Sequence, residues 1–136
     1  MKIIVDTCVW SLALRHNKKP SNGTIAELRS LILDFRVQMI GAIRQEILSG
    51  IKYEAQFHSL KEKLSGFADL QLSENDYILA AQFYSLCRSK GIQGSNTDFL
   101  ICAVSANYNL GIFTTDRDFR RFSKHLPINL HIPKTQ

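Results

Sequence analysis

Four carboxylates stand where chemistry could be done. Asp6 closes the run Ile3-Ile4-Val5, and Asp116 closes Ile112-Phe113-Thr114-Thr115. Asp98 falls in the first turn of an apolar helical stretch, and Glu46 near the end of a short helix after a second apolar run. Two carboxylates ~4 Å apart repel by about 4 kcal/mol at an effective dielectric near 20. Four would not gather merely to stabilise a fold. They would share protons or hold a cation. Hard oxygen ligands favour Mg2+ or Mn2+, one ion or two, over zinc. Such ions activate water and steady the leaving oxygen in phosphodiester cleavage. Each acid also has a plainer role. Asp98 and Asp116 suit helix N-termini, where free N–H groups and the dipole favour a carboxylate. Glu46 alone suits a solvated face. Asp6 is harder to dismiss, because an acid closing a buried strand costs desolvation unless something pairs with it.

The elements around them decide whether the acids meet. Ile3-Ile4-Val5 reads as a buried strand, followed by a helix over 7–15. Residues 18–23 read as a turn, and Thr24 as the cap of a helix over 25–35. Strands are expected at 37–40, 68–72, 112–115 and 128–132. Helices are expected at 42–48, 53–64, 97–107 and 116–125. A long helix over 73–90 opens on Ser73 and Asp76, which are spaced as a capping box, and stops at Gly91. Strands alternating with helices imply an α/β fold with a mostly parallel sheet of about five strands. Ligands of such sheets sit beyond the strands' carboxyl ends, at a topological switch point. Asp6 and Asp116 would both stand there.

The 136 residues suit one domain over 1–136. An apolar fraction of 45% and a charged fraction of 21% exclude disorder and fibrous architectures. No apolar run reaches the ~18 residues of a membrane span. The three cysteines, Cys8, Cys87 and Cys102, are widely spaced, which argues against a disulfide framework and for a reducing compartment such as the cytoplasm. Cys87 and Cys102 read as core, and Cys8 as a small buried thiol. The histidines form no zinc spacing. P-loop and dinucleotide motifs are missing. The 17 basic residues face only eight acids once the four are set aside. That surface attracts phosphate backbones to an acidic pocket.

Four segments then fall into a pattern: Ile3-Ile4-Val5-Asp6-Thr7 with Val9-Trp10, Glu46 to Gly50, Asp98 to Ala103, and Thr114 to Phe119. In this order and approximate spacing the chain resembles the PIN-domain family, specifically VapC-type toxins of toxin–antitoxin pairs. The resemblance implies a PIN-like three-layer fold and metal-dependent endoribonuclease activity. It also implies a cognate VapB-like antitoxin, an RNA substrate and a homodimer. Structured RNA is expected, transfer RNA first and ribosomal RNA second, cut to leave 5′-phosphate and 3′-hydroxyl ends. Asp6, Glu46, Asp98 and Asp116 align with the family's acidic positions. Thr114 aligns with a supporting hydroxyl, and Asp118 is an outer acid or helix-start residue. Many relatives carry Asn where this chain has Cys8.

Arg117, Arg120, Arg121 and Lys124 crowd one short helix beside Asp116, where they would hold RNA phosphates. Arg15, with Lys18 and Lys19, is a second basic candidate. Trp10 and Phe119 read as core or interface aromatics. Two other readings compete: an aspartyl phosphotransferase with Asp6 as nucleophile, and a non-catalytic RNA-binding or regulatory module.

Overall fold

In the computed structural model, residues 1–14 and 23–134 are described. Arg15, Lys18, Lys19 and most of the expected 18–23 turn lie outside them. The strands are β1 (Ile3–Val5), β2 (Val37–Gln38), β3 (Gly111–Phe113) and β4 (Asn129–Leu130). The helices are α1 (Thr7–Leu14), α2 (Gly23–Leu33), α3 (Gly41–Leu48), α4 (Glu54–Leu64), α5 (Glu74–Ser89), α6 (Asn96–Tyr108) and α7 (Asp118–Phe122). The sheet is parallel throughout, in the order β2-β1-β3-β4. The chain leaves β1 for β2 on one side and later returns to β3 on the other. The switch point therefore lies between β1 and β3.

The two central strands, β1 and β3, are wholly buried, while β2 and β4 at the edges are partly exposed. Ile3, Ile4 and Val5 are almost without exposure, as are Ile112 and Phe113. Short β-branched runs suit a parallel sheet covered on both faces. Gly111 lets β3 approach β1 closely: a Cβ there would meet Ile3 Cδ1 at 2.7 Å and the Ile3 side chain would have to shift. Helix α6 is buried continuously from Phe99 to Ser105. Its aromatic neighbours lock it in place: Phe99 lies 4.9 Å from Phe122 and 5.5 Å from Tyr84. Trp10 and Phe119 are both core residues, and Trp10 meets Phe67 edge-on. Cys87 and Cys102 are buried, as expected. In α4, Leu64 is buried, but Phe57, read as part of the same inward stripe, is exposed.

The sheet has four strands, not five, among the described residues. Residues 68–72 do not form a strand, and their sheet contact is one parallel bridge between Met39 and Asp69. Side chains satisfy this stretch instead. The Arg44 guanidinium donates to the Leu64 carbonyl at 3.0 Å, to the Phe67 carbonyl, and to Asp69 Oδ1 at 3.0 Å. Gln38 Nε2 donates to the Ala68 carbonyl at 3.2 Å. These contacts tie residues 64–69 to α3 and β2. Arg44→Ala is expected to lower stability by about 2 kcal/mol, because it strands several acceptors at once. Urea denaturation measures this, and an unchanged midpoint would contradict the bracing role.

At the opposite edge His131 Nε2 lies 2.6 Å from Glu27 Oε2, both side chains nearly buried, and the Lys134 backbone N–H donates to Glu27 Oε1 at 3.2 Å. This contact ties the segment after β4 to α2.

Candidate active site

Asp6 leaves the end of β1 directly over the switch point. Its backbone N–H donates to the Phe113 carbonyl of β3 at 2.9 Å. Its side chain is buried at 6% exposure, yet fully partnered. Oδ1 accepts from the Thr7 N–H at 2.8 Å, and Oδ2 accepts from Thr114 Oγ1 at 2.8 Å. Among the described residues no cationic side chain pairs with it; donors carry the desolvation cost instead. The same Thr114 oxygen accepts from the Asp116 N–H at 2.9 Å. One hydroxyl thus joins the acids at the ends of β1 and β3.

Asp98 arrives from α6. Ser95 and Asp98 form a capping box. The Asp98 N–H donates to Ser95 Oγ at 3.0 Å, and the Ser95 N–H donates to Asp98 Oδ2 at 3.0 Å. Asp98 is therefore a helix-start residue, as its plainer reading held, but it also belongs to the cluster. Its carboxyl pKa is raised, first by burial, against the Ser95 hydrogen bonds, and further by the charges of Asp6 and Asp116. Burial raises Asp6 as well, with Asp116 adding to the effect. Asp116 thus lies near enough to act on both Asp6 and Asp98 through its charge. Burial, with Asp98 and Asp6 contributing, also pushes the Cys102 thiol upward, so Cys102 lies close to the acids from within the core.

Glu46 reaches the group through a neighbour. Thr7 Oγ1 donates to Glu46 Oε1 at 2.6 Å. Thr7 thus holds Asp6 by its backbone and Glu46 by its side chain. Asp116 Oδ1 accepts from the Asp118 N–H at 2.9 Å, a turn that starts α7. Asp118 itself opens α7 and pairs with Arg121 at 3.9 Å. Arg117, Arg120, Arg121 and Lys124 are exposed. Arg15 is outside the described residues.

Four residues of this site escaped the sequence reading. Thr7 had no signal beyond following a strand-terminal acid. Ser95 had one, since Ser-x-x-Asp is a capping-box spacing. Cys8 was read as buried, but it is only half-buried. Its Sγ lies 3.5 Å from Asp6 Oδ2 and 3.4 Å from Thr114 Oγ1, and it accepts from Thr115 Oγ1 at 3.3 Å. Cys8 and Thr115 are thus pocket residues.

As placed, among the described residues no three His, Cys, Asp or Glu side chains converge closely enough to hold one ion. Asp98 and Glu46 each spend an oxygen on a local donor. Their second oxygens, and that of Asp116, accept no hydrogen bond among the described residues. Three half-committed carboxylates beside a fully committed one form an oxygen-rich donor set that suits a hard divalent cation.

The raised carboxyls set a pH dependence. A carboxyl whose pKa is raised by folding contributes stability at low pH that is lost as pH climbs through the raised value. Asp98→Asn removes the charge and keeps an acceptor for the Ser95 N–H. In chelator, its stability relative to wild type is expected to increase from pH 4 to pH 7. Paired urea titrations at the two values test this; a difference that stays flat would contradict it.

A protein-family model described as PIN domain matches residues 3–125. A comparison with curated proteins returns no match. Solved structures with the same fold include FitAcB from Neisseria gonorrhoeae, at 25% identity and TM-score 0.75, covering 96% of this chain and 97% of that one. VapBC2 from Rickettsia felis, bound to a DNA fragment from its promoter, gives 19% identity and TM-score 0.76 over 96% and 98%. VapBC-1 from nontypeable Haemophilus influenzae gives 18% and 0.71 over 96% and 97%. The family match takes in all four acids and every strand but the edge strand β4, and so this chain belongs to the PIN-domain family.

Proposed function

We propose that this protein is a divalent-metal-dependent endoribonuclease, acting as the toxin of a toxin–antitoxin pair. The observation that carries the reading is the buried, fully hydrogen-bonded Asp6 at the switch point, joined to Asp116 through the Thr114 hydroxyl, with Asp116 close enough to raise the proton affinity of both Asp6 and Asp98. A site that gathers negative charge at such a cost is built for a cation. Asp6, Asp98 and Asp116 would hold Mg2+ or Mn2+, with Glu46 at the edge of the set. The ion, when bound, supplies a Lewis acid for the scissile phosphate. The chain's own residues do the rest. Thr114 fixes Asp6 and Asp116 relative to each other. Thr7 fixes Glu46 through Oε1, and this exposed carboxylate would accept a proton from an attacking water.

The competing phosphotransferase reading asks Asp6 to act as a nucleophile. Phosphotransferases of that kind place a second acid two residues after the nucleophile, and Cys8 stands there, so that reading is the weaker one. Structured RNA is the substrate class we propose, transfer RNA before ribosomal RNA. The likeness to the FitAcB and VapBC structures supports a small antitoxin protein as partner, and a homodimer is the form we propose from the family resemblance.

The purified chain, freed of any partner, is the material for the test. With Mg2+ or Mn2+ it should cut labelled RNA to leave 5′-phosphate and 3′-hydroxyl ends, and with chelator it should not. Cyclic-phosphate products, or cutting that survives chelation, would overturn the metal-dependent mechanism.

A further inference from the structure

Crowding of basic residues beside Asp116 says little by itself; their facing says more. Phe119, Phe122 and Leu126 are buried at spacing i, i+3, i+7 and form the inner face of this segment. Helical hydrogen bonds carry past α7, from Ser123 N–H to the Phe119 carbonyl and from Leu126 N–H to the Phe122 carbonyl, both at 2.9 Å. Arg117, Arg120 and Lys124 have the same spacing shifted to the opposite face, and all three are exposed. Among the described residues, none of the three makes an ion pair. Asp118, the carboxylate on the segment, engages Arg121 instead, at 3.9 Å.

Arg120 and Lys124 stand four residues apart, and Arg117 and Arg120 three apart, so the row repels itself. An anion lying along it relieves that repulsion. The row also starts at the acids, because the Asp118 N–H is tied to the Asp116 carboxylate at 2.9 Å. A polyanion reaching the pocket meets Arg117 first, then Arg120 and Lys124, along a stretch of roughly 10 Å at helical rise.

We infer that the outward face of residues 117–124 is a phosphate track, along which a single-stranded RNA backbone runs away from the cleavage point over Arg117, Arg120 and Lys124. This rests on the nuclease reading for its substrate. The contacts are to phosphates, so the track positions RNA without reading its sequence.

The test uses Asp6→Asn protein, so that RNA is bound but not cut, and a short fluorescein-labelled single-stranded RNA. Anisotropy titrations run from about 50 to about 300 mM KCl. Adding Arg117→Gln, Arg120→Gln and Lys124→Gln should reduce the slope of log K against log salt by about 2, since each lost phosphate contact on a single strand accounts for ~0.7. Arg117→Lys with Arg120→Lys keeps the charge and should keep the slope. An unchanged slope in the triple variant would overturn the track, while RNA cutting by wild type would leave the nuclease reading intact. A reduced slope in a protein that never cuts RNA would keep the track and sink the nuclease. Displacement of the RNA by polyglutamate at equal charge concentration would assign the face to an acidic protein instead.

Discussion

Asp6→Asn is expected to reduce RNA cleavage by about a thousandfold or more while leaving the fold at least as stable as wild type. The substitution is nearly isosteric. The amide oxygen can still accept from the Thr7 N–H, and the Thr114 hydroxyl can turn to meet the amide nitrogen. On the proposed function, what disappears is a charged oxygen ligand for the divalent ion. A Lewis-acid contribution of several kcal/mol goes with it, and each ~1.4 kcal/mol is tenfold in rate. Stability moves the other way. Burial raises the Asp6 carboxyl, so its ionised form is a liability to the native state at neutral pH, and that liability grows as pH climbs through the raised value. Initial rates and urea midpoints, measured together, separate the two effects. A variant that loses rate only in proportion to lost stability would point to a structural role for Asp6.

Asp76→Ala should cost the most stability of any single change considered, about 3 kcal/mol. Asp76 is buried at 2% exposure near the start of α5. It accepts from the Ser73 N–H at 2.8 Å, from Asn107 Nδ2 at 2.8 Å and from the Tyr108 hydroxyl at 2.7 Å. It therefore caps α5 and clamps the far end of α6 in one stroke. Truncation removes the cap, worth about 1 kcal/mol, and strands donors on α6 as well. Burial pushes its carboxyl pKa up, but the donors from Ser73, Tyr108 and Asn107 outweigh it, and the net direction is down. A lowered carboxyl contributes stability above the ordinary carboxylate range and loses it as pH falls through the folded value. The gap between wild type and Asp76→Ala should therefore narrow in acid. Denaturation at pH 7 and below pH 4 measures it, and a gap that is small at pH 7 or constant with pH would contradict the clamp.

The acids at the strand ends were legible because the signals are local. A β-branched run that stops at an acid marks both a buried strand and its carboxyl end, and it did so at Asp6 and at Asp116. Parallel pairing of β1 with β3 then follows from alternation of strands and helices. The Ser73–Asp76 box was legible for the same reason. Asp76's hold on Asn107 and Tyr108 was not, since those partners lie 31 and 32 positions away. The stretch 68–72 misled because its alternation is real, but the Ala68 carbonyl is claimed by Gln38 and the Asp69 carboxylate by Arg44, and no local pattern announces that. The helix expected over 97–107 runs on to Tyr108. Asn109 then takes the left-handed cap, at φ 54°, one of the few side chains that tolerates it. The pocket sulfur of Cys8 was hidden by the usual habit of a lone thiol, which is burial.

Everything functional rests on a divalent ion held among these carboxylates. Calorimetric titration of Mn2+ into partner-free protein measures this directly. Saturable binding to wild type, lost in Asp6→Asn and in Asp98→Asn, is the predicted result. Equal binding by wild type and both variants, or none by wild type, would contradict it.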